Sequence, residues 1–462
     1  MKLLTRRALG LMILTMLLVI GLLTFTFRYA FEASSWAMHA TNKHLYTDGL
    51  LKTAGKIYDR NGEVLLRTVD GYPKYHENKT VRRALLHVIG DSYGNIATSL
   101  QVAYSDRLSG WDPVNGAYRF HKEAGSFGND MKLTLDAELC SVAYQAMNGR
   151  KGTVGVYNYK TGEIICMVSI PTFDPENRPD VEASPENYEG VYLNRLLSGI
   201  YTPGSVFKLV TAAAAIDQLD HMDTMVYQCK GKQLVDGTEV TCPDAHGNVT
   251  LEQALAQSCN IAFAELALEL GGKTLQNYAE KTGMVTGLKI DGIKTARGRI
   301  AVAEAEGGDL AWAGIGQYSD MVNPLNFMAF VGSIANDGVR VTPRLLQEQG
   351  ILAVLPGLGT QEKRILSEDT AGILGAMMRN NVKEAYGEDR YKGLELCAKS
   401  GTAQVGDGEQ PHSWFAGYLD REDCPLAFVV VVENGGSGSK VAGGVAGKVL
   451  KTAVKSMTAE AE

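Results

Sequence analysis

The pattern of apolar and polar positions divides the chain into three unequal parts. A largely apolar, uncharged run extends from Ala8 to Phe27, with Lys2, Arg6 and Arg7 before it and Arg28 after it. About twenty residues at a 1.5 Å rise can cross the hydrocarbon core of a bilayer. From there to about Gly128 the apolar runs are short and lie among polar, Gly-rich and Tyr-rich segments; "GKIYDRNGEVLLRT" predicts two short strands around Asn61-Gly62. Near Met131 the pattern lengthens. "MKLTLDAELCSVAYQAM" predicts a strand and then a helix capped by Asp136, and "GTVGVYNYKTGEIICMVSIP" predicts a hairpin turning at Lys160-Thr161-Gly162. Helical periodicity dominates from Ser205 to about Gly283 and again near Pro324–Asn336. Strand character returns in "LELCAKSGTAQV", "SWFAGYL" and "LAFVVVVE", and "GGVAGKVLKTAVKSM" reads as an amphipathic helix. Strands at both ends of this part, with helices between, predict one sheet built from both termini of the domain.

Composition changes this picture little. Hydrophobic residues make up 45% and charged residues 21% of 462, ordinary globular usage, and the net charge of −7 gives no reason to expect a nucleic-acid partner. The basic flank before Ala8 predicts an N-terminus held in the cytoplasm and a chain that lies outside after Arg28. A cleaved signal peptide is the competing reading, but the run is longer than a signal core and no clean AxA site follows. Seven cysteines leave at least one unpaired within the chain. Cys140, Cys166, Cys259 and Cys397 read as buried thiols, whereas Cys229 and Cys242 flank the polar "CKGKQLVDGTEVTC" and form a candidate disulfide. No HExxH or Cys/His cluster suggests a metal among the scattered histidines, so no metal or cofactor is expected.

Candidate chemistry gathers in three places, each with a plain alternative. Ser-x-x-Lys occurs at Ser205–Lys208 and again at Ser437–Lys440 in the flexible "NGGSGSKVAGG". Pro203-Gly204 forces a turn before "SVFKLVTAAAAIDQL", so Ser205 and Lys208 share one helix face. A serine needs a base to become nucleophilic, and burial beside Val206, Phe207 and Leu209 would lower the lysine pKa. Alone, the stretch reads rather as a capped helix with a snorkelling lysine. Ser258-x-Asn260 is the one Ser-x-Asn in the chain and precedes an apolar helix, where either residue could serve as an N-cap. Lys-Thr/Ser-Gly occurs three times: Lys160-Thr161-Gly162 in a turn, Lys281-Thr282-Gly283 at a helix end, and Lys399-Ser400-Gly401 on a strand and followed by Thr402. A strand glycine often marks close approach of another backbone or a ligand. His246, in "DAHGNVT", fits the turn before the Ser258 helix better than an acid–base role.

Taken in order, Ser205-x-x-Lys208, Ser258-x-Asn260 and Lys399-Ser400-Gly401-Thr402 resemble the penicillin-recognising serine transferases and hydrolases. "NRLLSGIYTPGSVFK", "HGNVTLEQALAQSCNIAF", "GIGQ" at Gly314–Gln317, "AKSGTAQ", "GKIYDRNGEVL" and "RRALLHVIG" look like the class B monofunctional penicillin-binding proteins, over nearly the whole chain. The resemblance implies an α/β (α+β) transpeptidase fold: an antiparallel sheet flanked by helices, an all-helical subdomain, a small platform domain and one transmembrane helix. It divides the chain into a cytoplasmic tip and anchor (1–28), a platform (29–128), a transpeptidase domain (129–458) and a tail (459–462). By the same resemblance, Ser205 would attack the penultimate D-Ala carbonyl of a stem peptide and Lys208 would take its proton. Ser258 would relay a proton to the leaving D-Ala, and Asn260 would bind the substrate amide. Lys399, a further catalytic residue, would with Ser400, Gly401 and Thr402 hold the terminal carboxylate, or its equivalent in a β-lactam. The backbone N–H groups of Ser205 and Thr402 would form the oxyanion hole. No glycan-polymerising domain is expected in this chain, and the implied partner is a polytopic membrane glycan polymerase. A D,D-carboxypeptidase or β-lactam hydrolase shares the motifs; a non-catalytic scaffold or β-lactam sensor is the reading from another class.

Overall fold

The computed structural model describes residues 2–37, 46–47, 50–51, 55–70, 72–109, 111–112, 117–118, 128–220, 222, 224–347, 361–406 and 408–459. Parts of the expected platform, 119–127 among them, and residues 460–462 of the tail lie outside these. Helix α1 (Lys2–Ala37) carries the apolar run, and its Thr5–Tyr29 stretch is long and apolar enough to span a membrane and fully exposed. Beyond a two-residue pair at 46–47 and 50–51 lie β1 (Ile57–Tyr58), β2 (Val64–Val69) and β3 (Tyr72–Tyr75). The turn between β1 and β2 is the predicted one, with Gly62 at φ 87° and the Asp59 carboxylate accepting from the N–H groups of Asn61 and Glu63. Strand β4 (Met131–Lys132) joins them in parallel beside β1, so this sheet draws a strand from beyond residue 128. Ile57, Leu65, Leu66 and Val81 are buried in the same continuous core as the strands and helices that follow.

The larger part is built around one sheet. Asp136 caps α2 (Ala137–Met147) by accepting from Leu139 N–H, and the hairpin β5 (Gly152–Asn158) and β6 (Ile164–Ile170) follows as the pattern predicts. After short helical turns at residues 185–188 and 195–198 comes helix α3 (Lys208–Gln218), with Lys208–Ala215 wholly buried. Here the expected helical stretch is interrupted by four short strands, β7 (Tyr227–Cys229), β8 (Lys232–Val235), β9 (Thr238–Thr241) and β10 (Gly247–Val249), paired β7 with β10 and β8 with β9. They are short, polar on one side and turn at Asp236-Gly237, both at positive φ, a signal too brief to register as periodicity. Helices α4 (Leu251–Ala256), α5 (Asn260–Leu270), α6 (Gly272–Lys281), α7 (Pro324–Ala335) and α8 (Glu368–Asn381) precede strands β11 (Leu396–Ala403), β12 (His412–Leu419) and β13 (Leu426–Val432), and α9 (Ala442–Ala459) closes the order.

The five-stranded sheet runs β6-β5-β13-β12-β11, antiparallel throughout, and so takes strands from both ends of the domain as expected. The central β13, "LAFVVVV", is buried along its whole length, because α7 packs against it on one side and α9, itself packed on α2, on the other. A strand covered on both faces reads as a continuous apolar run rather than an alternation. At one edge lies β11, which packs on α8 and on the turn that carries Ser205.

Candidate active site

The Ser205 turn is fixed from three directions. Trp414 Nε1 donates to Thr202 O at 3.0 Å, the N–H of Gly204 donates to Gly316 O at 2.9 Å, and Tyr201 pairs with Val322 through both backbone groups. Gly204 (φ 55°) and Gly316 (φ 74°) adopt left-handed backbone; a Cβ on Gly316 would stand 2.4 Å from Gly204 O. A single 3-10 turn, Gly204–Val206, then leads into α3, which places Ser205 half-buried and Lys208 fully buried at the helix start. Behind the turn, Arg195 Nε donates to Glu433 Oε1 at 2.7 Å, and Tyr201 OH donates to the same oxygen at 2.9 Å. Asn323, also buried, donates its amide to the carbonyls of Leu196, Leu197 and Gly199. None of these braces was evident in the sequence, since each joins residues more than a hundred positions apart.

Ser258 lies in the break between α4 and α5; a capping box of Thr250 and Gln253 starts α4 on the far side. Its φ of 53° is left-handed, unusual for serine, and the N-cap of α5 is Cys259 rather than Ser258 or Asn260. The amine of Lys208 donates to Ser258 O at 2.7 Å, to Asn260 Oδ1 at 2.8 Å and to Ser258 Oγ at 3.2 Å; the Ser205 hydroxyl is not among its partners. Asn260 uses its Nδ2 on Thr241 O at 2.8 Å, so the missed strand β9 holds the amide in place. Lys399 Nζ reaches Ser258 Oγ at 3.0 Å and Ser400 O at 3.0 Å. Two buried amines therefore converge on one hydroxyl. Desolvation lowers Lys208 to about 7, and desolvation together with the neighbouring Lys208 charge holds Lys399 well below its ordinary value.

Strand β11 brings the third motif alongside. Ser400 N–H donates away from the sheet to Tyr386 OH at 2.8 Å, a partner that sequence reading missed. Strand alternation turns the Thr402 N–H, two residues on, to the same open edge. Gly401 has the tight surroundings its place on a strand suggested: a Cβ there would meet Pro203 O at 2.8 Å, and Thr402 O lies 2.9 Å from a Cβ built on Gly204. The other Lys-Thr-Gly triplets remain a turn, with Asn158 Oδ1 accepting from Lys160 and Thr161 N–H, and a helix end at Gly283 (φ 87°). Ser437 is exposed in a Gly-rich turn.

The candidate disulfide between Cys229 and Cys242 is not formed. All seven cysteines are free thiols, Cys229 and Cys242 included. The Cys229 sulfur is taken up by His246 Nδ1 at 3.2 Å, and Cys242 lies 3.8 Å from the sulfur of Cys259. Nor are these residues scattered: folding of β7–β10 gathers Cys229, Cys242, His246 and Cys259 so that their sulfur and nitrogen atoms lie within 4.8 Å of one another. The linear spacing hid this cluster because the β8–β9 hairpin separates Cys229 from Cys242, and β10 with α4 separates His246 from Cys259.

The fold and this convergence of three motifs are those of a penicillin-binding protein. The family description "Penicillin binding protein transpeptidase domain" matches residues 152–453, and the chain belongs to that family. It is 28% identical to the peptidoglycan D,D-transpeptidase PbpA of Mycolicibacterium smegmatis, over 96% of this chain and 95% of that protein. It is 26% identical to PbpA of Mycobacterium tuberculosis, over 95% of each. Among solved structures, the D,D-transpeptidase domain of a peptidoglycan glycosyltransferase from Eggerthella lenta superposes with a TM-score of 0.75 at 27% identity, covering 88% of this chain and 99% of that one. The penicillin G acyl-enzyme of M. tuberculosis penicillin-binding protein A shares the fold, with a TM-score of 0.72 at 24% identity over 88% of this chain and 100% of that one.

Proposed function

We propose that this protein is a serine peptidoglycan D,D-transpeptidase that crosslinks stem peptides through an acyl-enzyme and is acylated by β-lactams. The observation that carries the reading is the hydroxyl of Ser258 held between Lys208 at 3.2 Å and Lys399 at 3.0 Å, with Lys208 one helical turn beyond Ser205. Ser205 Oγ attacks the penultimate D-Ala carbonyl. The neutral Lys208 amine takes its proton once substrate draws that hydroxyl within reach, as catalytic hydrogen bonds commonly tighten only in the complex. The carbonyl oxygen, now negative, is met by the N–H groups of Ser205 and Thr402; one such donor contributes about 3 kcal/mol in hydrolases. With Lys399 donating to Ser258 Oγ, the Ser258 proton is free to pass to the departing D-Ala nitrogen and be replaced from Lys208. Asn260 exchanges its Thr241 contact for the substrate amide, while Lys399, Ser400, Gly401 and Thr402 hold the terminal carboxylate. The amine of a second stem peptide then attacks the ester, freeing Ser205.

The same reading assigns 1–28 to the cytoplasmic tip and anchor, 29–128 to a platform, 129–458 to the transpeptidase domain and 459–462 to a tail. Lys2, Arg6 and Arg7 before the apolar helix support an N-terminus inside and a catalytic domain outside. The platform face would meet a polytopic membrane glycan polymerase. Intact-mass spectrometry with benzylpenicillin, followed over hours, tests the activity. A stable single adduct that is absent from Ser205→Ala is expected; an adduct quickly lost points to a hydrolase, and folded protein that forms none points to a scaffold.

A further inference from the structure

The four ligand-type residues beside Asn260 are arranged as a coordination shell without being placed as a disulfide pair. Zinc bound at about 2.3 Å to sulfur and about 2.0–2.1 Å to nitrogen, in a tetrahedron, sets sulfur–sulfur edges near 3.8 Å and sulfur–nitrogen edges near 3.6 Å. Cys242 and Cys259 are 3.8 Å apart, and Cys229 and His246 are 3.2 Å apart. All four donor atoms fall within 4.8 Å of one another, on chain segments that only the fold brings together. The sulfurs also accept backbone hydrogen bonds, the pattern that steadies bound thiolates: Asn260 N–H and Ile261 N–H reach Cys242 Sγ at 3.0 and 3.5 Å, and Ala262 N–H reaches Cys259 Sγ at 3.4 Å.

We propose that Cys229, Cys242, His246 and Cys259 bind one zinc ion, which clamps the Ser258-x-Asn260 segment against strands β7–β10. Three thiolates and an imidazole select a soft, tetrahedral ion, and four protein ligands leave no position open to substrate, so the site is structural. The clamp acts where it matters for the left-handed Ser258: Cys259 is the next residue, and Asn260 hangs by its N–H from Cys242. The effect on acylation rests on the transpeptidase reading; the metal content does not.

The test uses the full chain, purified in detergent under reductant without chelator or metal column. About one zinc per chain is expected by elemental mass spectrometry. Cobalt exchanged into the site should give thiolate charge-transfer bands and the intense visible bands of a tetrahedral ion. Cys229→Ser and His246→Gln should lower zinc retention, and since cysteine variants can misfold, the cobalt spectrum of the unaltered protein is read as well. Ser205→Ala should keep its zinc in full, which separates failure of this proposal from failure of the proposed reaction. Removing zinc should slow benzylpenicillin acylation at least about tenfold, with recovery on adding zinc back. Folded, penicillin-reactive protein with less than about a tenth of a zinc per chain and no cobalt bands would overturn the site. So would a Cys242–Cys259 disulfide in freshly isolated protein. Zinc that can be withdrawn with no change in acylation would overturn the clamp.

Discussion

Lys208 and Lys399 cannot both stay charged at neutral pH while sharing the Ser258 hydroxyl in a buried site. Burial brings Lys208 down to about 7, which divides its population between base and acid near physiological pH. Only the neutral amine can take the Ser205 proton. The benzylpenicillin acylation rate should therefore fall about tenfold per unit of pH below 7 and level off above it, measured by stopped-flow or quenched labelling. Ser205→Ala should abolish labelling while leaving the melting temperature within about a degree, because the half-buried hydroxyl makes no hydrogen bond to Lys208 that would be lost. Ser437→Ala, in the other Ser-x-x-Lys pair, should change neither.

At the scale of elements, Ser205 is placed by a turn wedged between strand β11 and the loop at Gly316. A methyl on Gly316 would sit 2.4 Å from Gly204 O and 2.6 Å from Phe207 Cβ, in a backbone conformation that side chains avoid. Gly316→Ala should cost roughly 1–3 kcal/mol in denaturant unfolding. It should also lower the acylation rate by moving the turn away from Lys208. The Arg195–Glu433 pair makes a second prediction. Both side chains are mostly buried and Glu433 also accepts from Tyr201 OH, so Arg195→Ala leaves a carboxylate short of its partner beneath the turn. A loss of about 3–5 kcal/mol is expected, read as an earlier unfolding midpoint with unchanged slope.

At the scale of the molecule, α1 stands apart from a core that is continuous from the β1–β4 sheet to α9. Removing residues 1–37 deletes no residue of that core. The truncated chain should move from the membrane to the soluble fraction and retain its penicillin labelling, as fractionation followed by fluorescent β-lactam gels would read. Retention in the membrane after truncation would place the anchoring elsewhere.

The sequence by itself determined the anchor helix, the β5–β6 hairpin, the apolar β13, the closing helix and the order of the three motifs, because each is written in a local period, a cap or a short spacing. It also singled out Lys208, Ser258, Asn260 and Lys399, which the fold joins by hydrogen bonds around Ser258 and Lys208, and Ser205, three residues before Lys208. Which Ser-x-x-Lys and which Lys-Ser/Thr-Gly stood apart was legible through local context and order together, since Ser437 and Lys160 offer the same letters. Tertiary structure alone decided the rest. Strands β7–β10 are too short to carry a period, yet they hold Asn260 by the Thr241 carbonyl and draw Cys229, Cys242 and His246 to Cys259. Asn323 under the turn and Glu433 on Arg195 are partners across more than a hundred residues, and Tyr386 reaches Ser400 from outside the strand. No local pattern encodes such contacts; they exist because a packed interior leaves each buried polar group one place to go.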